Sequence, residues 1–160
     1  MIKMKHILMV TLTVCALALL DIPQATAQII YTTKMTSGPF LIAPTAESVD
    51  WQVVNNDTEP VDICVTVYQL NIGAAKTEVG PGPLCLNLLP GYTTHNANSV
   101  GTLFQLGFIY EVVVEATSDN VQSNVNQWAG NVGSQFIPGT LIPAGDFINI
   151  KIKPPKPPKP

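Results

Sequence analysis

After residue 27 the chain has two cysteines, Cys64 and Cys85, and one histidine, His95. These, with a few carboxylates, are the residues whose types and spacing could do chemistry. A zinc site needs three or four ligands, and no other histidine or cysteine lies near either thiol in sequence. The two cysteines sit in "VDICVTVYQL" and "PLCLNLL", flanked by Asp62 and Thr66 in one case and Asn87 in the other. A hairpin through "NIGAAKTEVGPG" that pairs 64 with 85 sets 62 opposite 87 and 66 opposite 83. Both thiols then leave adjacent strands on one face. A disulfide is the expected outcome in an oxidising compartment; two free thiols are the alternative.

His95 lies in "GYTTHNANS", close to Thr93, Thr94 and Ser99. A hydrolase would need a hydroxyl, an imidazole and an acid in a fixed geometry. Neither a G-x-S-x-G elbow nor an H-E-x-x-H pair is present, so His95 reads as a solvated loop histidine. Glu111 and Glu115 are four apart on an extended segment and share a face about 13 Å apart. That exceeds the usual spacing of paired glycosidase carboxylates and reads as a solvated sheet face. Asp57 and Glu59 lie in a turn, but calcium takes six to eight oxygens. In "GPGP" the prolines lack the N–H groups a phosphate cradle needs. Asn56-Asp57-Thr58 matches a glycosylation sequon, which matters only on a eukaryotic secretory route. No catalytic residue, cofactor or metal is expected.

Ligand binding has three candidates, Tyr92, His95 and Trp128, set in the expected polar loops 91–99 and 119–135. Aromatic faces stack on sugars and peptides. The competing reading makes Trp128 core. Trp51 alternates with Val49 and Val53 and is read as core.

The tail "INIKIKPPKPPKP" holds another candidate. Proline cannot serve a β-ladder, so residues 153–160 are expected in polyproline II. Lys153, Lys156 and Lys159 then fall on one edge, roughly 9 Å apart. Such an arm could dock on an anionic surface, or it could be only a disordered end. Residues 28–150 carry two lysines against ten acids, a net −8, and residues 151–160 carry +4. With an acidic body and no arginine after residue 27, a nucleic-acid partner is not expected.

The elements that must position these residues read as strands. "SVDWQVVN", "VDICVTVYQL", "PLCLNLL" and "FIYEVVVEAT" alternate apolar and polar residues with period two. The last puts Phe108, Tyr110, Val112 and Val114 on one face. Weaker candidates are 29–35, 124–128 and 147–152. Turn residues separate them in "NNDTEP", "LPGYTT", "SDN", "IPGT" and "IPAGD". Many short strands between such turns predict a single β-sandwich or barrel.

Upstream, "MIKMKH" is basic, residues 7–20 form an uncharged apolar run, and "DIPQATAQ" offers small residues before a cut. This is the pattern of a signal peptide over 1–27, cleaved after Ala27. The run of 14 residues is shorter than the ~20 of a membrane span. Exported protein is thus expected, in the periplasm, at the cell surface or outside the cell, with no membrane span after cleavage.

"WQVVNNDTEPVDICVTVYQL", "LPGYTTHNA" and "YEVVVEATS" together resemble the immunoglobulin-like sandwiches of bacterial secreted and surface proteins, over about residues 49–117. The cysteine and tryptophan arrangement of antibody domains is not matched. The resemblance implies an immunoglobulin-like antiparallel sandwich over 28–152 with a structural, adhesive or surface-interaction role. Its partners would be an anionic cell-envelope polymer or other copies of itself. A carbohydrate- or peptide-binding module is the alternative, and a small secreted hydrolase a distant third.

Overall fold

The computed structural model describes residues 28–152. The expected signal peptide over 1–27 and the expected arm of Lys153, Lys156 and Lys159 lie outside the described residues. Within them the chain is all-β. The strands are β1 (Thr33–Thr36), β2 (Phe40–Leu41), β3 (Ser48–Asn55), β4 (Val61–Leu70), β5 (Thr77–Glu78), β6 (Leu84–Leu88), β7 (Thr93–Ser99), β8 (Ile109–Ala116), β9 (Val121–Trp128) and β10 (Ile148–Ile150). A short 3-10 turn, Ala144–Asp146, precedes β10.

Two antiparallel sheets form. The larger runs β10-β1-β8-β4-β5, with β2 sharing the β1 edge of β8 and β6 pairing β4. The smaller runs β7-β3-β9. Alternation explains both. Val49, Trp51 and Val53 of β3 meet Ile63, Val65 and Val67 of β4 and Tyr110, Val112 and Val114 of β8 in one buried cluster. Phe104, from the β7–β8 connection, packs edge-on to Tyr110 with ring centroids 5.0 Å apart. The Tyr110 hydroxyl accepts a bond from the Gln105 N–H at 2.8 Å, which satisfies the polar end of a buried ring.

Four expected strands are present, and three details differ. Phe108 does not join the inward face of β8. It precedes the strand and is 40% exposed, because the chain enters β8 at Ile109 from a turn containing Gly107, at φ 81°. Val113 shares the outward face with Glu111 and Glu115, yet is buried. It stands at mid-sheet between Thr36 and Thr66 in register, themselves buried. The stretches 91–99 and 119–135, expected as polar loops, each hold a strand: Thr93–Ser99 is β7, and Val121–Trp128 is β9, which contains the weaker strand candidate 124–128, while 129–135 stays outside the strands.

Candidate functional site

Cys64 and Cys85 stand directly opposite each other in the β4–β6 ladder, and Asp62 faces Asn87 in the same register. The sulfurs are bonded. Residue 83 lies outside β6, so the predicted 66–83 pairing does not form. The bridge sits on the outer face of the larger sheet, in a row with Lys34 and Glu115. Lys34 pairs with Glu115 at 2.8 Å, and Lys76 pairs with Glu111 at 2.8 Å while its ammonium lies over the Tyr68 ring. Burial would raise the Glu111 carboxyl, but hydrogen bonds from Lys76 and Thr36 outweigh it and hold the group below the usual carboxylate range. The two glutamates are therefore engaged by lysines on a partly covered face.

Asp57 is likewise engaged within the fold. It accepts from the Thr58 N–H and from the Ser118 hydroxyl, and these bonds, Ser118 first, lower its pKa. Asn55 beneath it is buried, donating to the carbonyls of Glu59 and Leu88. The turn is tied by its own polar groups. Among the described residues no group of three or more His, Cys, Asp or Glu side chains could hold a metal.

His95 sits on β7, not in a loop, with its side chain 61% exposed. Its outward neighbours follow from the register. Gln52 is directly opposite, and Asp50 is the diagonal neighbour, facing Ala97 and Asn126. Asp50 is completely buried, though it lies on the outward face of the smaller sheet. Its Oδ2 accepts from Gln52 Nε2 at 2.8 Å, while Oδ1 has no hydrogen bond and lies 3.4 Å from His95 Nδ1. Thr93 and Ser99 share the His95 face at two and four residues along the strand, about 7 and 13 Å away at strand rise. Thr94 faces the other way. The hydrogen bonds of the described residues join His95 to no hydroxyl.

Trp128 ends β9 and packs edge-on against Phe136, with centroids 5.8 Å apart. Its Nε1 is buried without a partner. Tyr92 is exposed just after the Pro90-Gly91 turn, where Gly91 takes φ 72° and the Tyr92 N–H donates to Leu89 O. Thr93 aligns with Val54, whereas Trp128 aligns with Ser48 at the far end of β3. The two aromatic residues are thus about 20 Å apart along the strands, and they form no shared platform with His95.

One open feature escaped sequence reading. Where β7 faces the β5–β6 segment, the two sheets part to leave a cavity of about 180 Å³ lined by Trp51, Val65, Val67, Leu84, Asn96 and Asn98. A second hollow, of about 410 Å³, adjoins it and shares Val79, Pro81, Asn98 and Leu103. The signal was the polar inward series Thr94, Asn96 and Asn98, which alternates as a strand does but without apolar residues.

No protein-family model matches the chain, and no curated protein does. Among solved structures it is similar to the Anabaena sensory rhodopsin transducer, at 16% identity and a TM-score of 0.39, over 61% of this chain and 97% of that one. It is also similar to the protein of the Thermotoga maritima 1070 crystal structure, at 9% identity and a TM-score of 0.44, over 77% and 94%. Likenesses this distant assign no activity.

Proposed function

We propose that this chain is an exported, non-enzymatic immunoglobulin-like sandwich with a structural or adhesive role at the cell surface. The observation that carries the reading is the way its reactive side chains are tied into the sheets. Cys64 bonds Cys85, Glu111 and Glu115 meet lysines, and Asp57 is bound by its own turn. What stays open to a partner is the exposed His95, the rest of the surface and backbone. The disulfide supports export, because such bonds persist where thiols are not kept reduced. The apolar run 7–20 supports it independently.

In this reading the lysines of the tail form a cationic arm that adds weak contacts to an anionic envelope polymer. Deleting residues 154–160 and measuring retention on isolated envelopes at low and high salt tests it. Retention that falls on truncation and falls with salt supports the arm. Full-length protein that does not bind envelopes in either salt overturns the surface role.

The cleft favours a second reading, a carbohydrate- or peptide-binding module. Trp51 floors the cavity and the Asn96 and Asn98 amides line it, so binding would centre there, with the inward side of β7 taking part and 119–135 left out. Trp51 fluorescence quenching on titration with glycans or peptides distinguishes the two.

A further inference from the structure

The edges of the two sheets differ in how they are closed. β10 is three residues long and runs into Lys151. The β5–β6 edge is interrupted by Gly80-Pro81-Gly82-Pro83, whose prolines have no N–H to offer. The outer edge of β9 is met by Ile142, which exchanges backbone bonds with Val125 at 2.9 and 3.1 Å, and by Gln135 and Ile137. β7 has seven residues, without lysine, proline or bulge, and among the described residues it pairs with β3 alone. An edge of that kind is the usual template for strand addition.

The backbone bonds give the direction of its free groups. Asn55 N donates to Tyr92 O, and Val100 N donates to Glu47 O. In an antiparallel ladder the bonded pairs recur every second residue, so the even-numbered residues of β7 bond β3. Thr93, His95 and Ala97 therefore direct their N–H and C=O groups away from the sheet. These residues are exposed. The next carbonyl in the series, Ser99 O, is already taken by the Thr102 N–H and hydroxyl.

Charge identifies the occupant. Residues 79–110, thirty-two in a row, contain no Asp, Glu, Lys or Arg, although the body carries −8. This stretch holds β6, β7 and the exposed Leu84, Leu89 and Tyr92. Two copies of an acidic protein repel each other least through such a side, where the carboxyl beside His95, that of Asp50, is fully buried. A basic partner would instead be drawn to the acid-bearing faces.

We infer that β7 is a self-association edge, pairing antiparallel with β7 of a second copy about a two-fold axis at His95. In that register Thr93 faces Ala97 of the other copy and His95 faces its counterpart, so every free main-chain group of these three residues is bonded. The smaller sheet becomes one continuous six-stranded sheet across the pair. The inference deepens the proposed contact role by naming its partner. Its test uses purified protein without envelopes, so either can fail alone.

The test is sedimentation velocity of the mature chain, residues 28–160, from micromolar to several hundred micromolar. A monomer–dimer equilibrium is expected. Ala97→Pro removes an N–H that β3 does not use, and should raise the dimer dissociation constant at least about tenfold. Ile150→Lys, on the β10 edge, should leave it unchanged. His95→Cys should give a covalent dimer on oxidation, resolved by non-reducing electrophoresis. A monomer throughout the concentration range, or a dimer equally strong in Ala97→Pro with an unchanged circular dichroism spectrum, overturns the inference.

Discussion

Truncating Trp51 to alanine removes the one tryptophan of the shared core. The ring is 2% exposed and stands in register between Asn96 of β7 and Val125 of β9. Large aromatic truncations in cores cost about 3–5 kcal/mol, the sum of lost transfer free energy and the cavity left behind. Two features decide where in that range the cost falls. Val65 and Val67 of the facing sheet belong to the same buried cluster as the ring, which argues for a full transfer loss. One side of the ring already borders the cavity of about 180 Å³, so its dispersion contacts are incomplete there. Removing the ring enlarges a hollow whose wall includes two amides, and water can enter it more readily than a dry void. The expected loss is therefore about 3 kcal/mol, the lower end of the range. Urea unfolding followed by Trp128 fluorescence and by circular dichroism measures it, with the slope m compared between variants. A loss below about 1 kcal/mol at unchanged m would refute the reasoning, because it would mean that the ring is not part of the packed interface.

Three further outcomes follow from single observations. Replacing Cys64 and Cys85 together by alanine should cost about 3 kcal/mol, the chain-entropy value for a loop of about 20 residues; mass spectrometry of the unreduced wild-type protein should find those two peptides linked, and two alkylatable thiols would sink the assignment. Glu111 has a lowered pKa in the fold, so its contribution is present above the unfolded carboxylate pKa and is lost as pH falls through the folded value; Lys76→Met should flatten that acid limb of stability against pH, and an unchanged limb would remove the Lys76 bond as its cause. Asp50→Asn keeps an acceptor for Gln52 and replaces a buried carboxyl oxygen that has no hydrogen bond; the urea midpoint should rise, and a clear fall would show that the carboxyl group is needed beside His95.

How much of the fold was legible depended on which residues face inward. β3, β4 and β8 bury valine, isoleucine and aromatic side chains on one face, so period two was plain. Residues 121–123 of β9 were missed, and 124–128 stood only as a weaker candidate, because Ser123 and Gln127 share the inward face of the strand with Val121 and Val125. Ser123 donates to Gln52 O. Gln127 bonds the Ala43 N–H and the Leu41 carbonyl. Buried polar residues satisfied by backbone look like loop residues when read in sequence. β7 was missed for a related reason. Thr94, Asn96 and Asn98 face a cleft, and no apolar residue marks the alternation.

The candidate site divides along the same line. The cysteine pairing was legible because it needs only two strands, one turn and a parity match. The separation of Tyr92 from Trp128 was not, because it depends on the register of β7 and β9 against opposite edges of β3. That register is set by side chains distant in sequence. Sequence reading looks for chemistry in side chains, and the free edge of β7 lies in main-chain groups that every residue except proline carries. Its trace in the sequence is what the segment lacks. Lysine and proline are missing from Thr93–Ser99, and formal charge is missing from residues 79–110. An edge kept by selection as solitary would carry one of these blocking features. That β7 carries none, while Pro81 and Pro83 interrupt the edge across the cleft, is the physical reason to look for pairing there.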